Sequence, residues 1–463
     1  VKPLSARLTR VAAAVALLGT CVIAPWPAGA QTGLEQVASS LPGRGACREL
    51  APQSLDELTL MAAVEHVLCK SPLLNQALLL VDEQQAGVDL ARSAFRPRMS
   101  ANAEFASNRI PSSNSGAGSL SSSVTGSLGV TWVLYDAGIR DANLEQSRQL
   151  LNSARAGQHA SSINAVNEAL RLYVEAATAW ARLEALRDTE SVARQSLEAA
   201  QAKHAAQVAS LAEKLQAQTA LAQATLDRVR AEGVWETSRG LLAVAMGFSV
   251  NAPLTLAPIS AAFPAISARG PLDEWIDEAK RQHPRVRGAR ADMLALKSRV
   301  DAVRAESKGN VQLSLGAGST RDLGTPGARF EHSLSGYVIA SIPLFNHAEQ
   351  QARETQALAQ VASREAALTQ VERDIEADLW RNAKLLETET QNLKAAKMLL
   401  YAATQSYQIT FGRYKAGVGS ILELISTQVA LSTARAQLTQ AQLGHAQARL
   451  RLEVASGRVV LNK

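Results

Sequence analysis

Two stretches of this chain repeat an uncommon event. Residues 127–148, SLGVTWVLYDAGIRDANLEQSR, and 335–356, SGYVIASIPLFNHAEQQARETQ, each pass from an alternating segment into a polar, Ala/Gln-rich helical one with no Gly/Ser-rich loop between them. V-L-Y-D-A in the first echoes P-L-F-N-H in the second. A duplicated junction implies a duplicated architecture. Aligning the chain with itself bears this out: Pro72 falls 212 positions before Pro284, Tyr135 falls 210 before Phe345, and Ser210-x-x-Glu213 falls 210 before Ser420-x-x-Glu423. Each half therefore reads as a short helix, an X-Pro step, a second helix, two strands joined by a turn, and a very long helical region.

The candidate strands alternate. Met99, Ala101, Ala103 and Phe105 fall on one face of the first, against Ser100, Asn102 and Glu104. Val124, Leu128, Val130, Trp132 and Leu134 share a face of the second, and Val311, Leu313, Leu315 and Ala317 a face of the third. The fourth, from 333, alternates more weakly. Gly/Ser/Pro-rich stretches at 111–123 and 321–329 read as the turns. Strands near ten residues with one apolar face fit a tilted membrane strand, and equally a soluble hairpin packed on a core.

The helical regions show their seams. Val166, Leu170, Tyr173, Ala177 and Trp180 step by four and three; Leu379, Leu386, Leu393 and Leu400 recur every seven, as do Leu424, Leu431 and Leu438. That spacing predicts coiled-coil packing. Breaks around 205–210 and 417–420 divide each region into a hairpin whose arms are too long for a compact domain. Aromatics are only 4% of the 463 residues, which suits long helices meeting through small side chains.

Residues 1–30 read as an export signal, with Lys2, Arg7 and Arg10 before an apolar run and Ala28-Gly29-Ala30 at the cleavage site. Acylation at Cys21 is the rival reading. Cleavage would lower the net charge from +6 to +3 and leave no large basic block, so nucleic-acid binding is not expected. It would also leave Cys47 and Cys69, either a disulfide closing a loop of about twenty residues or two free thiols. Beyond 30, no run of eighteen apolar residues provides a transmembrane helix. Four strands cannot close a barrel alone, so a membrane route requires chains to pool them.

Catalysis finds no support. The seven histidines are scattered and no H-E-x-x-H occurs. His445 falls on a heptad seam, Gly316-Ala317-Gly318 and Gly417-Val418-Gly419 lack the rest of a dinucleotide loop, and Asp374 and Glu376 lie on a polar helix face. No cofactor and no metal is expected, and the chain does not read as an enzyme.

From about Leu58 onward the sequence resembles the TolC-type outer-membrane factors, in its duplication, in both helix starts at Ser71-Pro72 and His283-Pro284, in the two junctions, and in R-Y-K-A-G-V-G-S-I-L-E-L at 413–424. The resemblance implies an α+β membrane channel-tunnel: long α-helical hairpins in duplicate plus four membrane strands per chain, a twelve-stranded barrel closed by a homotrimer, and a periplasmic tunnel. It divides the chain into an N-terminal extension (31–57), a first repeat (58–247), a linker or equatorial segment (248–275), a second repeat (276–457) and a tail (458–463). Strands are expected at about 97–109, 123–135, 310–320 and 333–345, helices at about 138–246 and 347–457. The resemblance further implies an exit duct in the Gram-negative outer membrane. Its partners would be outer-membrane lipid, a periplasmic adaptor and an inner-membrane ABC or proton-driven transporter, and its cargo either a secreted protein toxin or drug-like molecules. A periplasmic coiled-coil adaptor is the alternative.

The same resemblance assigns the hairpin tips to the tunnel entrance. Tyr414, Gly417 and Glu423 match the family's second tip, while Gly419 stands where an Arg is expected and Ser426 where a second acid is. In the first tip Glu213 holds the acidic position and Gln207 replaces the turn glycine. Glu423, Glu213 and Tyr414 are thus the candidate entrance residues, and Gly417, Gly419, Ser420 and Ser210 the candidate turn and adaptor contacts.

Overall fold

The computed structural model describes residues 57–110, 119–257, 271–323 and 328–457. Twelve elements follow one another there: α1 (Leu60–Lys70), α2 (Pro72–Ser93), β1 (Arg98–Ile110), β2 (Ser119–Tyr135), α3 (Ile139–Ala205), α4 (Leu211–Ala245), α5 (Leu272–Gln282), α6 (Pro284–Glu306), β3 (Asn310–Asp322), β4 (Glu331–Ser341), α7 (His347–Lys415) and α8 (Ile421–Ala455). The export-signal and Cys47 readings and the 458–463 tail lie outside the described residues.

α3 and α7, of 67 and 69 residues, are the staves of the fold, each about 100 Å long at 1.5 Å per residue. α6 packs against both of them on the strand side, and α8 packs against both beyond it, while α2 and α4 flank α3. The upper helices thus run α2–α3–α6–α7, the same order as the strands that continue them, β1–β2–β3–β4. α4 and α8 end at glycines with left-handed backbone, Gly247 (φ 81°) and Gly457 (φ 82°). A β-carbon on Gly247 would come within 2.8 Å of the Lys70 side chain, and one on Gly457 within 2.8 Å of the His283 ring. Each lower helix therefore meets the start of an upper one at the molecule's waist, and only glycine fits either meeting point.

The waist also holds the largest apolar core, built from Leu60, Val64 and Val67 of α1, Leu170, Tyr173 and Leu183 of α3, Trp235, Leu242 and Met246 near the end of α4, and Leu254. Tyr173 is fully buried and donates its hydroxyl to Leu58 O at 2.9 Å. Leu58 in turn forms a parallel bridge with Leu256, tying the 248–257 stretch to the first helix. α5 begins at Leu272, four residues ahead of the expected repeat boundary, because Pro271 caps it and Asp273 and Glu274 fill its first turn.

Elsewhere the helices meet through alanine. Ala217, Ala224 and Ala231 are buried at seven-residue steps, as are Ala434, Ala441 and Ala448, and Ala396 and Ala403 followed by Thr410. Small side chains at this spacing let backbones approach closely, so the apolar seam is narrow and leaves few large groups to bury.

The four strands form one antiparallel sheet in chain order. Met99 faces Val130, Ala101 faces Leu128 and Phe105 faces Val124. Val130 then faces Leu315, and Leu313 faces Val338. Register therefore assembles every apolar alternation onto one side, and that side is exposed: Met99, Phe105, Leu128, Leu315, Leu334 and Val338 all stand open. The opposite side carries Asn102, Ser127, Gly318 and Ser333, with Thr125 Oγ1 hydrogen-bonded to Thr320 Oγ1 at 3.1 Å. Among the described residues no helix packs on either face, contrary to the soluble-hairpin reading.

The two junctions are built differently. After Tyr135 the chain needs only Asp136, Ala137 (φ 54°) and Gly138 (φ 96°) before α3. Asp136 is buried, accepts from the backbone N–H groups of Gly138 and Arg140, and takes a 2.8 Å ion pair from Arg140 Nε. Arg140 also donates to Val133 O at 2.8 Å and lies 5.0 Å from the Phe95 ring centroid, stapling the last turn of strand to the first of helix. β4 instead stops at Ser341, short of the expected 345, because Pro343 has no N–H for a ladder. Five residues, 342–346, then lead into α7, and Asn346 makes no side-chain cap.

Candidate functional site at the helical tips

The hairpin turns lie at 206–210 and 416–420. In the second, Gly417 adopts φ 81° and Val418 N donates to Arg413 O at 3.1 Å. In the first, Gln207 takes the same left-handed conformation at φ 57°, and Val208 N donates to Lys203 O at 2.9 Å. The geometry is duplicated although the glycine is not, at a cost of roughly 1 kcal/mol for a side chain in that region. Gly419 has a separate reason: its β-carbon would lie 2.9 Å from Tyr414 N and 3.1 Å from Arg413 C, so any side chain would strike the last turn of α7. No arginine can occupy that position with this turn.

Ser210 and Ser420 are N-caps, their hydroxyls accepting from Glu213 N at 3.3 Å and Leu422 N at 3.2 Å. Neither is shown as a partner contact; both start helices. Tyr414 is 1% exposed and packs with Ile421 and Leu424, bordered by Ala199, Tyr407, Phe411 and Ile425. Its hydroxyl is buried with no hydrogen-bond partner among the described residues. Burial, with a smaller contribution from the nearby Glu213 charge, pushes its phenol pKa upward. Tyr414 is thus the plug of a small apolar cluster within the protomer, closed off from the surrounding water.

Two cations that the sequence reading passed over complete the tip. Arg413 Nη1 forms a 3.0 Å ion pair with Glu423 Oε1, so the candidate entrance carboxylate is already engaged. Lys203 Nζ donates to the Tyr414 carbonyl at 2.6 Å and sits 3.6 Å from the centre of the same ring. Lys203 and Arg413 are 210 positions apart, the offset of the repeat, so one duplicated basic residue serves both hairpins. The copies have diverged in use: Arg413 closes its own hairpin, while Lys203 ties the first hairpin to the second. That shared offset was the signal available in the sequence. Glu213 is half-buried, and His204, the counterpart of Tyr414, bonds Ala209 O at 3.0 Å through Nδ1.

Away from the tips, Cys69 sits half-buried near the end of α1 and is disulfide-bonded. His445 is half-buried on α8, at the heptad position seven residues after Leu438.

Comparison with known proteins agrees with this geometry. The Outer membrane efflux protein family model matches residues 63–248 and again 275–458, once for each half. Protein CyaE of Bordetella pertussis is 32% identical over 377 residues, spanning 81% of this chain and 78% of that protein. Among solved structures, the chain resembles the transmembrane channel CusC with a TM-score of 0.75 at 17% identity, covering 86% of this chain and 92% of that one. It likewise resembles the open state of the Neisseria gonorrhoeae MtrE outer membrane channel, with a TM-score of 0.69 at 19% identity and coverages of 86% and 89%. The fold is the α+β channel-tunnel, its location the Gram-negative outer membrane with a large periplasmic tunnel. This chain belongs to the outer membrane efflux protein family.

Proposed function

We propose that three copies pool their sheets into a twelve-stranded barrel and their helices into one tunnel, forming the exit duct of a tripartite export system. The observation that carries this is the sheet itself. It exposes a continuous apolar face, its outer strands β1 and β4 each have an edge unpaired among the described residues, and lipid tolerates neither open edges nor unpaired backbone. A coiled-coil adaptor would have no use for such a sheet. A periplasmic adaptor would engage the helical tips, and an inner-membrane ABC or proton-driven transporter would supply the energy.

Cargo of either class, a protein toxin or small molecules, would pass the polar side of the sheet. That side carries Asn102, Ser127, Gly316 and Ser333, and across it Glu104, Thr125, Thr320 and Glu331 line up in one row. At the entrance, three copies of Glu423 would make a ring that attracts cations, damped while Arg413 holds each carboxylate. The disulfide of Cys69 would be made with Cys47.

Planar-bilayer recording of the purified protein tests the duct directly. Stepwise cation-selective currents are expected, and a folded trimer giving no current would contradict it.

A further inference from the structure

The two junctions share the repeat offset, yet the second leaves its apolar side chains more exposed and outside the sheet. At the first, Tyr135 remains in β2 facing Val311, and the chain turns at once through buried Asp136. At the second, β4 has already ended, and Ile342, Leu344 and Phe345 stand outside the sheet 65%, 79% and 100% exposed. Tyr135, the counterpart of Phe345, is 59% exposed while still in the strand, and the second junction carries such exposure beyond the sheet. These side chains continue, beyond the last strand residue, the apolar band of Leu334, Val338 and Ala340 on the lipid-facing side.

The charge set directly against the segment is a cation. A β-carbon on Gly309 would lie 3.0 Å from the Ile342 side chain, which sets the exposed Lys308 next to the segment. Lys308 forms no ion pair with any described residue, and neither does exposed Arg96 just before β1 at the same end of the sheet. Most acids nearby are engaged: Glu306 with Arg299 and Arg353, Glu349 with Arg353, Glu354 with Arg304, and Asp136 with Arg140, while exposed Asp141 on the first turn of α3 forms no ion pair with any described residue. Apolar groups next to uncompensated cations match the acyl and phosphate layers of a phospholipid leaflet.

We propose that residues 342–345 form a lipid anchor. Leu344 and Phe345 insert into the periplasmic leaflet of the outer membrane, and Lys308 meets the phosphate of a glycerophospholipid head group. This rests on the sheet spanning the bilayer.

The test is nitroxide accessibility on the full-length assembly in phosphatidylethanolamine/phosphatidylglycerol vesicles. Leu344→Cys and Phe345→Cys are labelled separately, so that one variant failing to assemble leaves the other. Leu334→Cys on β4 is the lipid reference and Glu387→Cys on α7 the water reference. Collision with oxygen dominating over collision with a water-soluble nickel chelate at 344 or 345, as at 334, is the expected result. Loss of both collisions would mean that a neighbouring copy covers the segment, and dominance of the nickel chelate that water does; either overturns the anchor. If position 334 itself reads as water, the barrel reading fails first, which separates the two failures.

Discussion

Lys203 Nζ reaches from the first hairpin to the carbonyl of Tyr414 in the second, 2.6 Å away, and the same ammonium covers the tyrosine ring at 3.6 Å. One cation thereby fixes both the backbone and the side chain of the residue that plugs the tip. Replacing Lys203 with Met keeps the aliphatic stem and removes the charge. A hydrogen bond from a charged donor contributes about 1.5–3 kcal/mol, so the tip's closed arrangement should lose at least about tenfold in population. Single-channel conductance or open time should rise in Lys203→Met, with Lys203→Arg intermediate. Unchanged traces would remove Lys203 from the account.

Arg413 and Glu423 give a prediction of opposite signs. Removing the carboxylate in Glu423→Ala should weaken block by divalent cations applied from the tip side. Removing the guanidinium in Arg413→Ala frees the carboxylate and should strengthen it. Both variants shifting block the same way would mean that Glu423 does not face the permeation path. The pair is exposed on both sides, so neither change should affect stability by more than about 1 kcal/mol.

His283 makes the waist sensitive to acid. Its Nδ1 accepts from Arg285 N at 3.1 Å as the cap of α6, and burial, followed by the Arg285 charge, lowers its pKa from 6.5 to about 4. The folded protein resists a proton that the unfolded chain accepts, so stability is whole above pH 6.5 and falls as pH drops from there toward 4. Ser71 caps the corresponding helix in the first half by position, which makes His283→Ser a fitting control. Its melting temperature should depend less on pH across that window than the parent's. Equal slopes would assign the acid sensitivity elsewhere.

The first junction should be the more brittle. Asp136 and Arg140 are both largely buried, and removing one partner of such a pair costs about 3–5 kcal/mol. Asp136→Ala should speed amide exchange at 139–142, while Asn346→Ala, which removes no cap, should leave 347–350 unchanged. Matching behaviour at the two junctions would show that the Asp136 staple does not hold the first.

Much of this was readable before any coordinates. Alternation at Met99–Phe105 and Leu128–Leu134 fixed which side of the sheet is apolar, because strand period is two and register then has no freedom. The leucine heptads at Leu424 and Leu431 marked real seams. Other features were invisible for physical reasons. Alanine seams such as Ala217–Ala224–Ala231 carry little contrast against an Ala-rich background. Gln207 gives no hint of a left-handed turn, since its conformation is imposed by the hairpin around it. Lys203 looked like any solvated lysine until the fold brought Tyr414 beneath it. The sequence pattern marks Tyr414 as an entrance position and Gly419 as the place of a missing arginine, but it does not show that the first is buried or that the second is pressed against the backbone of α7.

The central claim is that protomers share one barrel, and the mass of the intact particle tests it most directly. The protein is extracted in mild detergent from carbonate-washed outer membranes and sized by light scattering with the detergent contribution removed. A particle of three protomers in that fraction is the predicted result. Release by carbonate as a soluble species, or a monomer in the membrane fraction, would contradict it.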